Sequence, residues 1–243
     1  MEYTWDFKVI LDSFPLLLRG LVVTIELWIL AFAIGLSLGF AVSLARVSSR
    51  GWLNAPAIGY VEIFRNTPVL VQLIWFYYAF PIILGQQLSP FTAAALALTL
   101  NTSAYCAEIF RGGIVSIARG QWEGAKAIGM TRAMTMRRVI LPQVLKRMLP
   151  AFTNRGIELA KVTSLASLLA VNELMYQGRL LSSTYYRPLE ILTVVALVYF
   201  VLIYPGSYLS ARLERRLAAR DCCRAKYDER YRHPHPQPAQ ALW

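Results

Sequence analysis

Ionisable side chains inside otherwise apolar stretches are the residues of this sequence that most need a chemical explanation. Five of them lie within or at the edge of such stretches: Glu26, Glu62, Glu108, Glu158 and Lys161. A charged group at the centre of a membrane helix costs about 2.5–3.5 kcal/mol on insertion scales, so each is a candidate functional group. We expect Glu26 to support a packing contact between helices.

Three further polar positions share a helical face. Asn101, Tyr105 and Glu108 are spaced i, i+4 and i+7, which puts them on one side of a helix. We expect this face to look inward. Thr163 and Ser164 add two hydroxyl groups beside a possible helix break.

Local pairing is the alternative role for the charged residues. Glu62 with Arg65, Glu108 with Arg111, and Glu158 with Lys161 are each three residues apart. Opposite charges at this spacing meet on a helix surface and form ordinary ion pairs. This second interpretation assigns the three pairs to the scaffold.

Several classes of catalytic or cofactor site lack their ligands. His233 and His235 are the two histidines, and both lie in a Pro-rich tail. Cys222 and Cys223 are adjacent and Cys106 stands alone, a pattern that matches no metal motif or structural disulfide. Gly-x-Ser-x-Gly, His-Glu-x-x-His and paired intramembrane aspartates are absent, which disfavours an intramembrane enzyme. The sequence contains no filter-like loop, which disfavours an ion channel.

The composition predicts a membrane protein. Apolar and aromatic residues make up 56% of the 243 residues and charged residues 16%, against about 25% charged in an ordinary soluble domain. The stretch 66–107 is 42 residues long without one charge, about twice the length of a membrane-crossing helix. The net charge of +11 therefore indicates membrane topology rather than nucleic-acid binding.

We predict five transmembrane helices in a single membrane domain, residues 1–220. The spans are expected at about 16–46, 57–83, 91–115, 148–171 and 189–211. Pro68 lies inside the second span and should kink or break it, because proline removes a helical hydrogen bond. The tail 221–243 is basic and Pro-rich, and we expect it to be disordered in the cytoplasm.

The charges of the connecting segments predict the orientation. Positive and non-positive segments alternate: −1 for 1–20, +2 for 46–65, zero for 85–90, +7 for 111–147, zero for 172–190 and +4 for 212–243. Positively charged segments remain in the cytoplasm. The N-terminus is therefore expected in the periplasm, and the C-terminus and the loop 116–147 in the cytoplasm.

This loop carries a motif with fixed spacing. Its residues are Glu123-Gly124-Ala125-Lys126-Ala127-Ile128-Gly129, then nine others, then Val139-Ile140-Leu141-Pro142. The motif resembles the EAA loop of ATP-binding-cassette (ABC) importer permeases: Glu-Ala-Ala, three residues, Gly, nine residues, Ile, one residue, Leu-Pro. Gly124 and Val139 depart from that pattern. The resemblance implies ATPase-coupling roles for six residues: Glu123, Gly124, Ala125, Gly129, Leu141 and Pro142.

The local chemistry of the loop suits a coupling helix. Small residues at 123–128 let a partner pack closely, and Gly129 is a natural helix terminator. Arg132, Arg137 and Arg138 fall on the polar side of a following amphipathic segment. The alternative is an ordinary surface helix beside the membrane.

Further segments are similar to the polar amino-acid permeases within that family. They include the segments Tyr60–Gln72 and Ser103–Ile114, the latter followed by Arg119-Gly120-Gln121. Gly20–Ile25, Thr163–Leu165 and Leu213–Arg216 also fit. The resemblance implies an all-α integral membrane protein with the coupling loop between helices 3 and 4. It extends over residues 10–220.

The resemblance also implies partners. A second permease subunit, identical or paralogous, would pair with this chain in the bacterial inner membrane. Cytoplasmic ATPase subunits would carry ATP and Mg²⁺, and a periplasmic amino-acid-binding protein would deliver the substrate. The chain itself contains no Gly-x4-Gly-Lys-Ser/Thr, so we expect no cofactor in it and no enzymatic activity of its own.

An amino-acid cargo needs counter-charges or dipoles for its ammonium and carboxylate. Nine residues are therefore expected along the substrate pathway: Glu62, Gln72, Asn101, Tyr105, Glu108, Glu158, Lys161, Thr163 and Ser164. Family members often have an acidic or amide residue between the Lys and the Thr. Here that position is Val162, which argues against a cationic substrate. Another small solute, such as an opine or a sulphur compound, is the alternative cargo.

Overall fold

The computed structural model describes residues 8–48 and 50–231, with side chains as far as residue 215, and these residues are nearly all helical. The all-α prediction is confirmed. In chain order the helices are α1 (Lys8–Val47), α2 (Gly51–Asn66), α3 (Val69–Ile74), α4 (Phe80–Leu84), α5 (Pro90–Val115), α6 (Arg119–Ala127), α7 (Arg132–Thr135), α8 (Leu141–Val162), α9 (Leu174–Tyr185) and α10 (Pro188–Tyr231).

Length and hydropathy identify the clearest membrane-crossing helices. Within the described residues, α1 and the Pro188–Arg215 part of α10 are long and apolar enough to cross a membrane. The bent pair formed by Gly51–Asn66 and Val69–Leu84 adds a third if it counts as one span. The total of five spans stays a prediction.

Pro68 divides the second predicted span. Helix α2 ends at Asn66, and α3 starts at Val69 after a bend of 106°. Thr67 and Pro68 are both extended, with ψ of 139° and 136°. A proline disfavours the helical conformation of the residue before it and supplies no N–H to the helix. The predicted break at Pro68 is therefore confirmed.

Two other prolines follow irregular turns. A π-helical turn at Trp75–Ala79 precedes Pro81, and a second at Met136–Ile140 precedes Pro142. A proline ring clashes with the carbonyl group four residues earlier, and widening the preceding turn relieves that clash. Pro142 thus lies in the first turn of α8, whereas the sequence indicated a fourth span that began only at residue 148.

Small residues bring α1 and α5 together at the centre of the fold. The buried positions of α1 recur every three or four residues, and most of them are small: Ser13, Gly20, Thr24, Ala31, Gly35, Gly39 and Ser43. Along α5 the buried residues are mostly alanine, serine and threonine. Small side chains let two membrane helices approach closely, so van der Waals contacts and interhelical hydrogen bonds replace bulky packing.

The C-terminal part of the chain differs from the sequence-based prediction in two ways. Helix α9 occupies the segment 172–190, which we expected to be only a connection. Helix α10 continues to Tyr231, beyond the boundary at residue 220. The rest of the predicted disordered tail, 232–243, lies outside the described residues, as do residues 1–7.

Candidate functional site

The coupling motif forms a short helix with a well-defined end. Glu123 and Gly124 are exposed on α6, whereas Ala125 is buried. Gly129 has φ of +76°, the left-handed conformation that glycine adopts without strain. Its N–H donates to Lys126 O at 3.0 Å, and the N–H of Met130 donates to Ala125 O at 3.0 Å. This hydrogen-bond pair is a Schellman motif, which ends the helix as the sequence predicted.

Apolar packing fixes the coupling motif to the start of α8. Trp122 packs against a buried cluster that includes Ile140, Val144 and Met148. Gln143 Nε2 donates to Gln121 Oε1 at 3.2 Å across the same junction. A displacement of α6 would therefore be transmitted to α8.

The second half of the motif begins α8. Leu141 and Pro142 are exposed there, while the adjacent Ile140 is fully buried. Arg132, Arg137 and Arg138 are also exposed, in agreement with the predicted polar side. Both halves of the motif thus have exposed residues outside the apolar cluster.

Gln72 and Asn101 form a buried polar contact at the break between α2 and α3. Asn101 Nδ2 donates to Gln72 Oε1 at 3.1 Å and to Phe64 O at 2.9 Å. Gln72 Nε2 donates to Phe64 O at 2.9 Å and to Thr67 O at 3.1 Å. The two amides satisfy carbonyl groups that the broken helix leaves free, as buried backbone groups require.

Arg155 joins this contact from α8. Its side chain is 5% exposed, and Nη2 donates to Asn101 Oδ1 at 2.6 Å and to Thr102 Oγ1 at 3.2 Å. The guanidinium carbon lies 4.2 Å from the centre of the Tyr105 ring. Nη1 pairs with Glu158 Oε2 at 2.9 Å. The Tyr105 hydroxyl donates to Arg65 O at 3.4 Å.

Glu108 lies one turn beyond Tyr105 and binds several arginines. It forms ion pairs with Arg46 of α1 and with Arg111 of its own helix. Arg65 Nη1 of α2 lies 3.8 Å from Glu108 Oε2. The predicted pairing of Glu108 with Arg111 is therefore present, and a second, interhelical partner adds to it. We name the group formed by Arg65, Asn101, Tyr105, Glu108, Arg155 and Glu158 the Tyr105 cluster.

Two of the expected local pairs are absent from the described residues. Glu62 is exposed and accepts a hydrogen bond from Asn66 Nδ2 at 2.8 Å, while Arg65 turns to Glu108. Glu158 pairs with Arg155 instead of Lys161. Both predictions were wrong: Arg65 meets a carboxylate of another helix, and Glu158 has Arg155 three residues before it as an equally spaced partner on its own helix.

The remaining pathway candidates lie apart from the Tyr105 cluster. Lys161 and Ser164 line an open cavity of about 340 Å³ together with residues of α10. Thr163 is buried and its hydroxyl donates to Ala160 O at 2.8 Å. Glu26 is exposed in an apolar groove beside Phe91, so the packing contact expected for it is not seen in the described residues.

Sequence reasoning missed three charged residues that the fold places at helix junctions. Arg155 and Arg46 were overlooked because their partners are 54 and 62 residues away in the chain. Glu173 is fully buried and accepts hydrogen bonds from the N–H groups of Met175 and Tyr176 at 2.9 and 2.6 Å. Glu173 caps the start of α9, but glutamate is not one of the residues that typically predict an N-cap, so no local signal marked it.

Glu173 also binds two other helices. The Tyr199 hydroxyl of α10 donates to Glu173 Oε2 at 2.7 Å, and the Thr24 hydroxyl of α1 lies 3.5 Å from the same oxygen. Thr24 Oγ1 in turn accepts from Leu174 N at 3.1 Å. This arrangement anchors α9 to α1 and α10.

No group of three or more metal-ligating side chains occurs within the described part of the chain.

Comparison with protein families gives a match over most of the chain. Residues 31–219 match the model of the family described as binding-protein-dependent transport system inner membrane component. The octopine transport system permease protein of Rhizobium meliloti is 39% identical over 211 residues, 84% of this chain and 86% of that protein. The glutamine transport system permease protein of Escherichia coli K12 is 38% identical over 215 residues, 88% and 98% of the two chains.

A solved structure also shares this fold. It is described as an amino acid ABC transporter with histidines, and its matching chain is 38% identical to this one, with a TM-score of 0.82. The match covers 88% of this chain and 100% of the other. The helices described above are therefore arranged as in a chain of that transporter.

Proposed function

This chain belongs to the family of binding-protein-dependent transport system inner membrane components, and on that premise we propose that it is the permease subunit of an ABC importer that carries a polar amino acid across the bacterial inner membrane. Its relatives transport octopine and glutamine according to their names. The observation that carries the proposal is the coupling motif on α6 and the start of α8, held together by the cluster around Ile140.

ATP hydrolysis is assigned to partner subunits. The exposed residues Glu123, Gly124, Leu141 and Pro142 form the surface on which a cytoplasmic ATPase subunit would dock. ATP and Mg²⁺ would be bound by that subunit. The fixed contact between α6 and α8 would carry its movement into the membrane domain, since packed helices move as rigid units.

The substrate pathway is assigned first to the Tyr105 cluster. The cluster contains one amide, that of Asn101, one hydroxyl, that of Tyr105, and paired charges. These groups suit the ammonium and carboxylate of an amino acid. Gln72 supports the cluster through Asn101. We assign four further residues to other positions along the same translocation route: Glu62, Lys161, Thr163 and Ser164.

The remaining partners and the orientation follow from the same family membership and from the segment charges. A second permease subunit, identical or paralogous, would complete the pathway, and a periplasmic amino-acid-binding protein would deliver the solute. The N-terminus would lie in the periplasm and the C-terminus in the cytoplasm, because the segments 46–65, 111–147 and 212–243 are the positive ones.

Reconstitution in liposomes tests the proposed function. The permease would be combined with its ATPase subunits and binding protein, and uptake of radiolabelled amino acids and octopine measured with ATP or a non-hydrolysable analogue. We expect accumulation of at least one amino-acid solute that requires both ATP hydrolysis and the binding protein. Equal uptake with the analogue, or with the binding protein left out, contradicts an importer of this class.

An opine is the second candidate cargo. The similarity to the octopine permease, at 39% identity, is the observation that favours it. Octopine in the same uptake panel decides between the two cargoes, because an opine permease would accumulate it in preference to glutamine.

A further inference from the structure

An open cavity of about 450 Å³ lies between α9, the start of α10 and the turn that follows α8, and none of its lining residues belongs to the Tyr105 cluster. Its wall contains four hydroxyl side chains and one arginine: Ser167, Tyr176, Ser182, Ser183 and Arg179. We propose that this cavity binds the carboxylate group of the solute on the periplasmic side, before the solute reaches Lys161. The inference rests on the proposed function, which supplies the solute and the orientation.

The helical repeat of α9 gathers polar side chains on one side of the helix. Tyr176, Arg179 and Ser183 are spaced i, i+3 and i+7, so they share a face. The opposite face is buried and consists of Leu174, Gln177, Gly178 and Leu181. Its leucines pack against apolar residues of α1 and α10. The polar face of α9 is therefore left to line the cavity.

Unused hydrogen-bond donors meet in this cavity. Serine and threonine hydroxyls in helices commonly donate to a carbonyl of the preceding turn, and Ser183 and Thr184 both donate to Leu180 O, at 2.9 and 2.8 Å. Three other hydroxyls have no partner within the part of the chain that the structure describes: Ser167, Tyr176 and Ser182. Ser167 is 6% exposed, and buried donors are nearly always paired. A ligand with acceptor oxygens would supply the missing partners.

Arg179 supplies the positive charge of the cavity. Its guanidinium has no hydrogen-bond or ion-pair partner among the described residues, and none of their carboxylates lines the cavity. The acidic residues at the two ends of this segment are engaged elsewhere, because Glu173 binds Tyr199 and Glu190 pairs with Arg187. Arginine presents a planar fork of N–H donors that matches a carboxylate. The cavity therefore favours a carboxylate over an ammonium or a neutral group.

A solvated surface arginine is the alternative for Arg179, since the residue is exposed. Arg19 provides the comparison, because it is also exposed but lines neither this cavity nor the one at Lys161. Arg179 differs in having three unpaired hydroxyls around it in a concave wall. Small-molecule sites are concave, with volumes of about 300–1,000 Å³ and a few converging polar groups. The cavity at Arg179 meets this description.

The cavity adjoins the proposed translocation route. Leu192 of α10 lines it and also lines the cavity of about 340 Å³ that contains Lys161 and Ser164. The Lys161 ammonium likewise has no ion-pair partner among the described residues. A carboxylate that leaves Arg179 would therefore meet a second cation. Because the neutral segment 172–190 is expected in the periplasm, an entering solute would reach Arg179 first.

Thiol labelling of the purified permease–ATPase complex in lipid nanodiscs tests the inference. Ser183→Cys, on a cysteine-free background, places a thiol at the exposed edge of the cavity. The binding protein is left out, so that free solute alone can protect the thiol. The probes are L-glutamine and octopine, which carry carboxylates, and L-glutaminamide, in which an amide replaces the carboxylate of glutamine. We expect glutamine or octopine to slow labelling severalfold and glutaminamide to leave it unchanged.

Variants separate carboxylate binding from general shielding. Arg179→Gln should raise the concentration needed for half-protection at least about tenfold, the usual effect of losing a charged hydrogen bond. Arg179→Lys should raise it less, because lysine keeps the charge but loses the fork, and Ser182→Ala should raise it severalfold. Arg19→Gln is the matched control and should leave it unchanged. Tyr186→Cys, at a position 86% exposed and outside the cavity, should label equally with and without solute.

Four results would overturn the inference. They are protection by neither glutamine nor octopine, equal protection by glutaminamide, an unchanged half-protecting concentration in Arg179→Gln, and protection that appears only with the solute-free binding protein. The last result would mean that a side chain of the binding protein occupies the cavity.

A second set of variants decides if the first set does not assemble with the ATPase. Leu180→Cys, also exposed in the cavity, then replaces Ser183→Cys. Ser182→Ala replaces Arg179→Gln, and an unchanged half-protecting concentration in it overturns the inference. ATP-driven uptake of any amino acid by the unaltered transporter upholds the proposed function even when this inference fails.

Discussion

Arg46 and Glu108 form an ion pair that joins the C-terminal end of α1 to α5. Glu108 also pairs with Arg111 on its own helix and lies near Arg65 of α2. One carboxylate thus holds the ends of three helices together. Glu108 therefore has a scaffold role besides the place on the substrate pathway that we propose for it, and the variants below separate the two.

Replacement of Glu108 tests this role. Glu108→Gln should lower the stability of the purified permease by about 1–3 kcal/mol, the usual effect of losing a charged hydrogen bond. In the Glu108→Gln background, Arg46→Gln should lower stability by less than it does in the unaltered protein, because the two residues interact directly. Thermal melting in detergent gives both values. Glu62→Gln is the control, because Glu62 is exposed, and it should shift stability by less than about 0.5 kcal/mol.

Uptake by a double variant separates the two roles of Glu108. Under the scaffold role, Arg46→Gln should restore much of the uptake that Glu108→Gln removes, because Arg46, with its side chain 10% exposed, is the buried arginine that Glu108→Gln leaves unpaired. Persistent loss of uptake in the double variant, with normal amounts of protein in the membrane, would instead place Glu108 on the substrate pathway.

Gly35 tests the close approach of α1 and α5. A Cβ atom there would lie 2.9 Å from Thr102 Cβ and 3.2 Å from Thr99 O. We expect Gly35→Ala to lower stability by about 1–3 kcal/mol, as overpacking does. Gly59→Ala is the matched control, since a Cβ there meets nothing within 4 Å. It should be neutral or stabilising by up to about 1 kcal/mol, because alanine favours the helix. Equal melting temperatures for the two variants would contradict the close packing.

Gly129 tests the coupling helix. Its φ of +76° is accessible to asparagine but costly for a β-branched residue. Gly129→Val should therefore reduce ATP-driven uptake severalfold, while Gly129→Asn should retain most of it. Both substitutions meet open space, because no atom lies within 4 Å of the added Cβ. A valine variant with normal uptake would show that coupling does not need this helix end.

Cysteine labelling tests the orientation. Arg132 lies in a segment of net charge +7, and Tyr186 lies in a neutral segment. On a cysteine-free background, a membrane-impermeant thiol reagent added to intact cells should label Tyr186→Cys and leave Arg132→Cys unlabelled until the membrane is opened. Tyr186 is 86% exposed, so its own packing does not shield it. The reverse pattern would refute the assignment from charge.

Local sequence features were sufficient where the physics is local. The break at Pro68 and the helix end at Gly129 each follow from the backbone preferences of a few adjacent residues. The helical class follows from stretches without charge that are long enough to cross a membrane as helices. The coupling motif was recognised from fixed spacing over twenty residues. These features need no knowledge of which helices lie side by side.

Contacts between distant segments were decided by the tertiary structure alone. The sequence predicted Glu62 with Arg65, but the fold brings Arg65 to Glu108 on another helix. It also brings Glu173 to Tyr199, 26 residues away. Helical spacing determines which side chains share a face. The rotation and depth of each helix, and hence the partner that its face meets, are set by packing between helices, which no single segment encodes.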